Sequence, residues 1–600
     1  MNSEILLKYQ TLANHYQSIC NSSKKQLKLI SFARFFSFIA IIPAYYYLNP
    51  INSLLAFASA LLFLITFFLL IKRFIITEKQ LLFHQHLVEI NQNEIAALNR
   101  NIKPFESGNE FIDPHHDYSY DLDLYGTGSF FQFLNRTVTS KGKIRLSELL
   151  NNSHRTAEEI RKRQSAIQEL TDELDWRQHF MAKGKETEDQ KKRNQIDQSI
   201  GQHINLRSAK TIKYLLLILP ALTLVLIGLN ISGIVDKAYY LIPIFSQWFI
   251  FIIYSKTISK FHAQFESQSK LLNRFSEMLL QIETKQFSSA YLTELKQKLN
   301  SNKKSASSIT SKLQKILNEF DYRQNILVGF VLNSVFLWDV RCLAKLNDWQ
   351  QKYSNELPHW FEVIAEMDAL SSIANCNYNN PEWATPTIKD SEFQLNAIDL
   401  GHPLIGETRC VKNSFQIANQ EQIVIITGAN MAGKSTFLRT VGINLILASI
   451  GSKVCAQSLE FSPIRIFTNM RTSDNLMNDE SYFYAELLRL QTMLNLIKHG
   501  KNLFVIVDEM LKGTNSIDKL NGSKELIQQL VSLQTHGIIA THDLGLTDLE
   551  KQYPTSIKNQ CFEVKLNNDE LIFDYKLTDG VTRTMNATFL MKKMGIIPKN

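Results

Sequence analysis

The six cysteines of this 600-residue chain (Cys20, Cys342, Cys376, Cys410, Cys455 and Cys561) are scattered, and no C-x-x-C pair occurs. Neither a disulfide framework nor a thiolate zinc site is indicated, and the soluble parts are expected in a reducing compartment. A strong charge imbalance is also missing. The net charge of +8 is a mild basic excess that suits anionic partners. It falls far short of a nucleic-acid footprint by itself.

A more telling absence is that of charge over long stretches. No charged residue occurs from Phe35 to Ile71, where Asn49-Pro50 and Asn52 signal a turn, nor in Tyr214 to Val235 or Ala238 to Ser255, which are separated by Asp236-Lys237. Each stretch is long enough for a hydrocarbon core of about 30 Å. The expectation is therefore two transmembrane hairpins, residues 29–75 and 213–255, with four spans that embed the chain in a membrane. Lys24, Lys25, Lys28 and Arg34 precede the first span, Lys72 and Arg73 follow the second, Lys210 and Lys213 precede the third, and Lys256 and Lys260 follow the fourth. All fall on one side, which the positive-inside rule makes cytoplasmic. This predicts a multi-pass protein of the inner (cytoplasmic) membrane, with both termini in the cytoplasm. Buried soluble helices fit poorly, because such long aromatic-rich runs flanked by Lys and Arg are rare in soluble cores. No small-residue cleavage site follows the first run, so a signal peptide is not indicated. No ionisable residue lies deep within a span, which favours anchors over a conducting path. Ile326 to Trp338, apolar for only about 13 residues, is expected to be a buried soluble helix instead.

Glycine and proline are scarce across residues 76–212 and 256–385, where Leu, Lys, Glu and Gln recur at helical spacing. Long cytosolic helices are predicted there, and a short cytosolic helix over 1–28. Ser301 to Ser311, with Lys303 and Lys304, reads as a turn at the tip of a helical pair, solvated or touching a phosphate backbone. After Pro381 and Pro386 the pattern becomes short β-branched runs alternating with helices, the mark of an α/β nucleotide-binding domain over 390–600.

That domain carries the chemistry. Thr427 to Thr436 fits the phosphate loop G-x-x-x-x-G-K-[ST] and follows an apolar strand, Ile423 to Ile426. Gly428 and Gly433 let backbone amides converge on phosphates, Lys434 supplies a point charge, and Ser435 offers a hydroxyl to Mg²⁺. ATP and Mg²⁺ are the expected cofactors. Leu503 to Val507 is a buried-strand run ending in Asp508-Glu509, where the first carboxylate can hold Mg²⁺ and the second can orient or deprotonate an attacking water. Gly537 to Ala540 forms a further strand ending in Thr541-His542-Asp543, which places His542 to sense a γ-phosphate.

Taken together these segments resemble the MutS family of DNA mismatch-repair ATPases, relatives of the ABC ATPases. Gly428-Ala-Asn430-Met431-Ala432-Gly433-Lys434-Ser435-Thr436 is similar to the family's phosphate loop. Ser481-Tyr-Phe-Tyr-Ala-Glu486 is similar to its signature segment, Gly513-Thr514 and Asp518 to its dimer-facing loop, Ala540-Thr541-His542 to its switch histidine, and His402-Pro403 to the start of the domain. Weaker likeness reaches Leu134 to Thr139, Gly142, Arg145-Leu146, Arg163-Gln164 and Glu366 to Leu370, which resemble the family's helical core. The resemblance implies a multidomain fold: α-helical membrane hairpins and a helical core or lever region, then a C-terminal α/β P-loop (ABC-like) ATPase domain. It also implies a homodimer holding two nucleotides, with Ser481 acting in trans, and duplex DNA as a partner. Departures are Ala429 where the family has Pro, Lys512 where it has Arg, and Asn478-Asp479-Glu480 in place of a glycine-containing approach to Ser481. No mismatch-reading domain with a Phe-x-Glu wedge is found at the front. The leading expectation is a membrane-anchored MutS-like ATPase whose hydrolysis opens and closes helical arms. The alternatives are an ABC-type transporter, disfavoured by the missing Leu-Ser-Gly-Gly-Gln signature, and an ATP-gated membrane tether.

Overall fold

The computed structural model describes residues 2–185, 209–265, 269–301, 304–390, 393–417, 422–429, 431–471, 482–500, 502–567, 570–582 and 596–597. The chain divides into two units. One comprises Met1–Arg136, Ile144–Leu174 and Ala369–Asn600, the other Thr137–Lys143 and Asp175–Asp368.

The first unit opens with a helical hairpin, α1 (Asn2–Leu48) and α2 (Ser53–Leu98). The short helix expected at the amino terminus and the first apolar run are thus one continuous helix. Asn52 starts α2 by accepting hydrogen bonds from the amides of Leu54 (2.9 Å) and Leu55 (3.3 Å), a side-chain cap for orphan amides. Around this turn the hairpin exposes Phe36, Ile42, Leu54 and Phe57. Its other end is polar and packed. There Tyr9 Oη donates to Asn379 Oδ1 (2.8 Å), and Glu94 pairs with Arg136 (2.5 Å) while accepting from Asn379 Nδ2 (2.8 Å). Short helices α3 (Phe130–Leu134), α4 (Ser140–Asn151) and α5 (Ala157–Asp172) follow, and α6 (Leu174–Gly184) lies almost wholly in the second unit.

In the second unit α7 (Ala209–Ile231) and α8 (Lys237–Phe265) form another apolar hairpin. Gly233 turns the chain at φ 73°, and buried Gln247 donates across the pair to Thr223 Oγ1 at 2.8 Å. Among the described residues, four helices, α1, α2, α7 and α8, are long and apolar enough to cross a membrane. Helices α9 (Ser269–Thr284) and α10 (Ala290–Gln297) lead to a small antiparallel pair, β1 (Asn300–Ser301) and β2 (Lys304–Ser305). This pair occupies the predicted tip, of which Asn302 and Lys303 lie outside the described residues. Helix α11 (Ala306–Asp321) packs back on α9, its Ser307 amide donating to Glu283 Oε1 at 3.0 Å. Next come α12 (Ile326–Phe336), α13 (Trp338–Tyr353) and α14 (Leu357–Asn379). Helix α12 was expected to be buried. Its bulky face, Ile326, Leu327, Phe330 and Val331, is instead exposed, and only Gly329, Asn333 and Ser334 are buried.

The rest of the first unit is an α/β domain. A four-stranded sheet has the order β3 (Thr387–Ile388), β7 (Ser458–Phe461), β4 (Leu395–Leu400), β5 (Asn413–Ile417). A six-stranded sheet has the order β12 (Glu570–Asp579), β11 (Ile557–Asn567), β6 (Ile423–Gly428), β10 (His536–Thr541), β9 (Leu503–Asp508), β8 (Arg465–Asn469). All neighbours are parallel except β12 on β11. Parallel strands need both faces covered, hence their unbroken Val/Ile runs. Helices α15 (Lys434–Ser449), α16 (Tyr482–Lys498) and α17 (Ser516–Ser532), with the short α18 (Leu549–Gln552), accompany this sheet. One core joins Ile423, Ile425, Val505, Val507 and Ile539 to Met493 of α16 and Leu530 of α17.

Candidate functional site

Strand register gathers the predicted site residues. Thr427 at the end of β6 pairs with Thr541 of β10, and Ala540 pairs with Asp508 at the end of β9. Three carboxyl ends are therefore level, and the loops leaving them share one edge of the sheet. The carboxyl edge of a parallel sheet is where ligands of α/β folds bind.

The loop from β6 to α15 is built for close backbone approach. A Cβ at Gly428 would lie 2.9 Å from the carbonyl oxygen of Phe562. Gly433 has φ 104° at the start of α15, and a Cβ there would meet the Tyr575 ring at 3.1 Å. Met431 is exposed with φ 67°, whereas Ala432 is buried. Asn430 lies outside the described residues, as does Ser481. Buried Lys434 donates from Nζ to the carbonyls of Gly428 (2.7 Å) and Ala429 (3.0 Å), and its Nζ lies 3.2 Å from His542 Nε2. Burial pushes the Lys434 ammonium down to about 8, although Asp508 and Glu509 act to raise it. His542 is also lowered, by burial first and then by the Lys434 charge, so it is neutral at pH 7.

Ser435 Oγ donates to Asp508 Oδ2 at 2.5 Å, which brings together the two residues predicted to hold Mg²⁺. Among the described residues no group of three His, Cys, Asp or Glu could hold a metal. A hydroxyl and carboxylate pair that leaves most positions to phosphate oxygens and water matches the way Mg²⁺ is bound.

Glu509 follows with φ 59°, and its Oε1 meets Lys519 Nζ of α17 at 2.5 Å. Burial raises the Glu509 carboxyl, but the hydrogen bond and charge of Lys519, with His542 and Lys512, outweigh it and hold the group below its ordinary range. The turn after Glu509 is fixed from α16. Glu486, buried, accepts from the amides of Leu511 (2.6 Å) and Lys512 (3.1 Å). Leu511 too is left-handed, at φ 56°.

A cavity of about 840 Å³ opens on this edge, lined among others by Ala429, Lys434, Thr436, Asp508, Glu509 and His542. That size suits a nucleotide, since small-molecule pockets run to about 300–1,000 Å³. Two lining or adjoining residues were not foreseen. Tyr575 reaches Gly433 from β12, far along the chain, and nothing local to Tyr575 signals it. Lys519 had a signal: a cation in the first turn of the helix after Asp508-Glu509.

Residues 424–600 match the family model for MutS domain V. Three DNA mismatch repair proteins MutS are similar to this chain. That of Thermotoga maritima is 33% identical over 254 residues, covering 41% of this chain and 31% of the relative. That of Desulfatibacillum aliphaticivorans is 34% identical over 259 residues (42% and 28%), and that of Staphylococcus aureus 29% over 276 residues (44% and 30%). The chain thus spans about a third of the length of the curated relatives it matches. These matches support the MutS family and, because MutS domain V is a P-loop ATPase domain, ATPase activity in general.

Proposed function

We propose that this chain is a membrane-anchored MutS-type ATPase that works as a homodimer and acts on duplex DNA. The observation that carries the reading is the convergence of Lys434, Ser435, Asp508, Glu509 and His542 on the carboxyl edge of β6, β9 and β10. Four apolar helices with exposed aromatic and aliphatic side chains support the membrane part, as do the Lys and Arg residues that flank them. Duplex DNA rests on the names of the similar proteins.

In this reading Lys434 releases the carbonyls of Gly428 and Ala429 and turns to the β- and γ-phosphates, joined by the amides of residues 430–436. Ser435 and Asp508 would hold Mg²⁺, which supplies charge neutralisation on the phosphate oxygens. Glu509, freed from Lys519, orients the attacking water and takes its proton. Neutral His542 offers one ring N–H to the γ-phosphate, and a partner subunit's signature segment completes the site. Hydrolysis alternates two states of the dimer and opens and closes its helical arms, because only contacts that differ between the states can do work.

The test is ATP hydrolysis by the full chain in lipid nanodiscs, with Mg²⁺ and with or without duplex DNA. Glu509→Gln should lower hydrolysis by about 10²-fold or more while leaving ATP affinity within a few fold. Lys434→Ala should lose both. DNA should stimulate the wild type, and the effect should fall steeply with salt. Undiminished turnover in both variants sinks the ATPase assignment, and a salt-independent or absent DNA effect sinks the partner.

A further inference from the structure

Helix α12 is inside out for a soluble helix. Its small and polar residues, Gly329, Asn333 and Ser334, are buried, while Ile326 (85% exposed), Leu327 (79%) and Val331 are exposed and Phe330 is more than half exposed beside α8. Water gives no reason for this arrangement, since an amphipathic helix in water buries its apolar face. A hydrocarbon solvent does.

Its position supplies that solvent. Phe330 packs on Trp248 of α8 with ring centroids 5.4 Å apart, and Trp248 Nε1 donates to Ser334 Oγ at 3.0 Å. Trp248 lies in the uncharged stretch of α8, eight residues before Lys256, or about 12 Å along the helix. The contact is therefore well inside the charge boundary. The flanks of α12 are polar in turn. Asn325 caps its first turn, accepting from the Val328 amide at 3.2 Å. Arg323 Nε lies 3.6 Å from Asp339 Oδ2, and Trp338 Nε1 donates to the Glu319 carbonyl at 2.8 Å. Arg341 donates to the Leu216 carbonyl near the charged end of α7 (3.0 Å), and Lys213 pairs with Asp348 (2.8 Å). The chain then leaves sharply. Leu337 is left-handed (φ 49°), and α13 is bent by 77° from α12. At 11 residues, α12 is about 16 Å long, half a hydrocarbon core.

We propose that α12 is a re-entrant membrane helix. It inserts beside α7 and α8 on their Lys-rich side, and the occupant of its exposed face is the acyl chains of that leaflet. The inference rests on the membrane reading of the α7–α8 hairpin and adds to it a fifth apolar helix, placed where α11 and α13 enter and leave it.

The experiment uses the full chain in phosphatidylcholine and phosphatidylglycerol vesicles, with an environment-sensitive fluorophore (NBD) on Leu327→Cys, Phe249→Cys or Lys352→Cys. The signal of the equally treated wild type, whose cysteines are mostly buried, is subtracted. The probe is lipid brominated in the acyl chains. Leu327→Cys is expected to be quenched at least half as strongly as Phe249→Cys on α8, with Lys352→Cys of α13 unaffected. Quenching at Phe249→Cys without quenching at Leu327→Cys overturns the proposal while leaving the hairpin in the membrane. A blue-shifted but unquenched label at Leu327→Cys would assign the face to a protein partner or second copy and overturns it too. No quenching at either position refutes both the hairpin reading and this one.

Discussion

The carboxyl edge of the six-stranded sheet and the α7–α8 hairpin handle polar groups in opposite ways. At the sheet edge, level strand ends collect Lys434, Ser435, Asp508, Glu509 and His542 around a cavity of about 840 Å³. Along the hairpin, charge is withheld from Tyr214 to Val235 and from Ala238 to Ser255, and the polar contacts within these stretches are neutral ones, such as Gln247 with Thr223. The backbone follows the same division. Met431, Glu509 and Leu511 sit at positive φ around the cavity, a cost that is stored where chemistry needs particular directions. The helices of the hairpin carry no such residues, only Gly233 at their turn. One region gathers charges around a cavity, and the other keeps them out of two long apolar stretches.

The sharpest way to test the first half of that contrast is to titrate Lys434. Its ammonium is held at about 8 by burial, and phosphate binding must restore the charged form. Below pH 8 the lysine is already charged, so ATP affinity should be flat. Above it, affinity should fall by up to about tenfold per pH unit, with proton uptake on binding rising from little at pH 7 to about one half at pH 8. Calorimetry in two buffers of different ionisation enthalpy reads this uptake directly. Lys434→Arg, charged at every accessible pH, should bind ATP more weakly but without uptake. Equal uptake in wild type and variant would assign the proton to another group.

A smaller effect is expected at Lys519. If its ion pair lowers the Glu509 carboxyl, Lys519→Met leaves desolvation opposed only by His542 and Lys512 and raises it. Glu509 must be ionised to accept a proton, so the acid limb of the kcat/KM profile, which reports the free enzyme in which Lys519 and Glu509 are paired, should move to higher pH by about one unit, while that of kcat stays in place. An unmoved kcat/KM limb would reduce Lys519 to a structural contact.

How much of this was legible beforehand follows the same division. The strands Ile423 to Ile426, Leu503 to Val507 and Gly537 to Ala540 are apolar runs ending in chemical residues, so the sheet edge and its members could be read locally. The uncharged stretches could be read as readily, because they are defined by one property over many residues. Tyr575 required knowing which strand folds over the loop, and local pattern carries no such information, whereas Lys519 had a local signal in its place in the first turn of the helix after Asp508-Glu509. Helix α12 departs from the sequence expectation for a physical reason: a mostly apolar helix of eleven residues fits a buried core helix and a helix with an exposed apolar face equally well. Only the direction of Gly329, Asn333 and Ser334 separates the two, and Ser334 is engaged by Trp248, more than 80 residues away.

The smallest effect probes the side-chain bond that joins α7 to α8 between Gln247 and Thr223. Gln247 and Thr223 are fully buried and share a 2.8 Å bond, while Gln247 Oε1 has no partner. Thr223→Val strands the Gln247 amide entirely, whereas Gln247→Leu removes both the bond and the unsatisfied oxygen, and Thr223 Oγ1 still donates to the Leu219 carbonyl (2.8 Å). Thr223→Val should therefore be the more destabilising, by about 1 kcal/mol, with Gln247→Leu close to neutral. In Thr223→Val/Gln247→Leu the loss should be no greater than in Thr223→Val alone. A double-mutant cycle on reversible unfolding in bicelles decides it. Additive losses would mean that the two side chains do not interact, and the hairpin would then be held by packing alone.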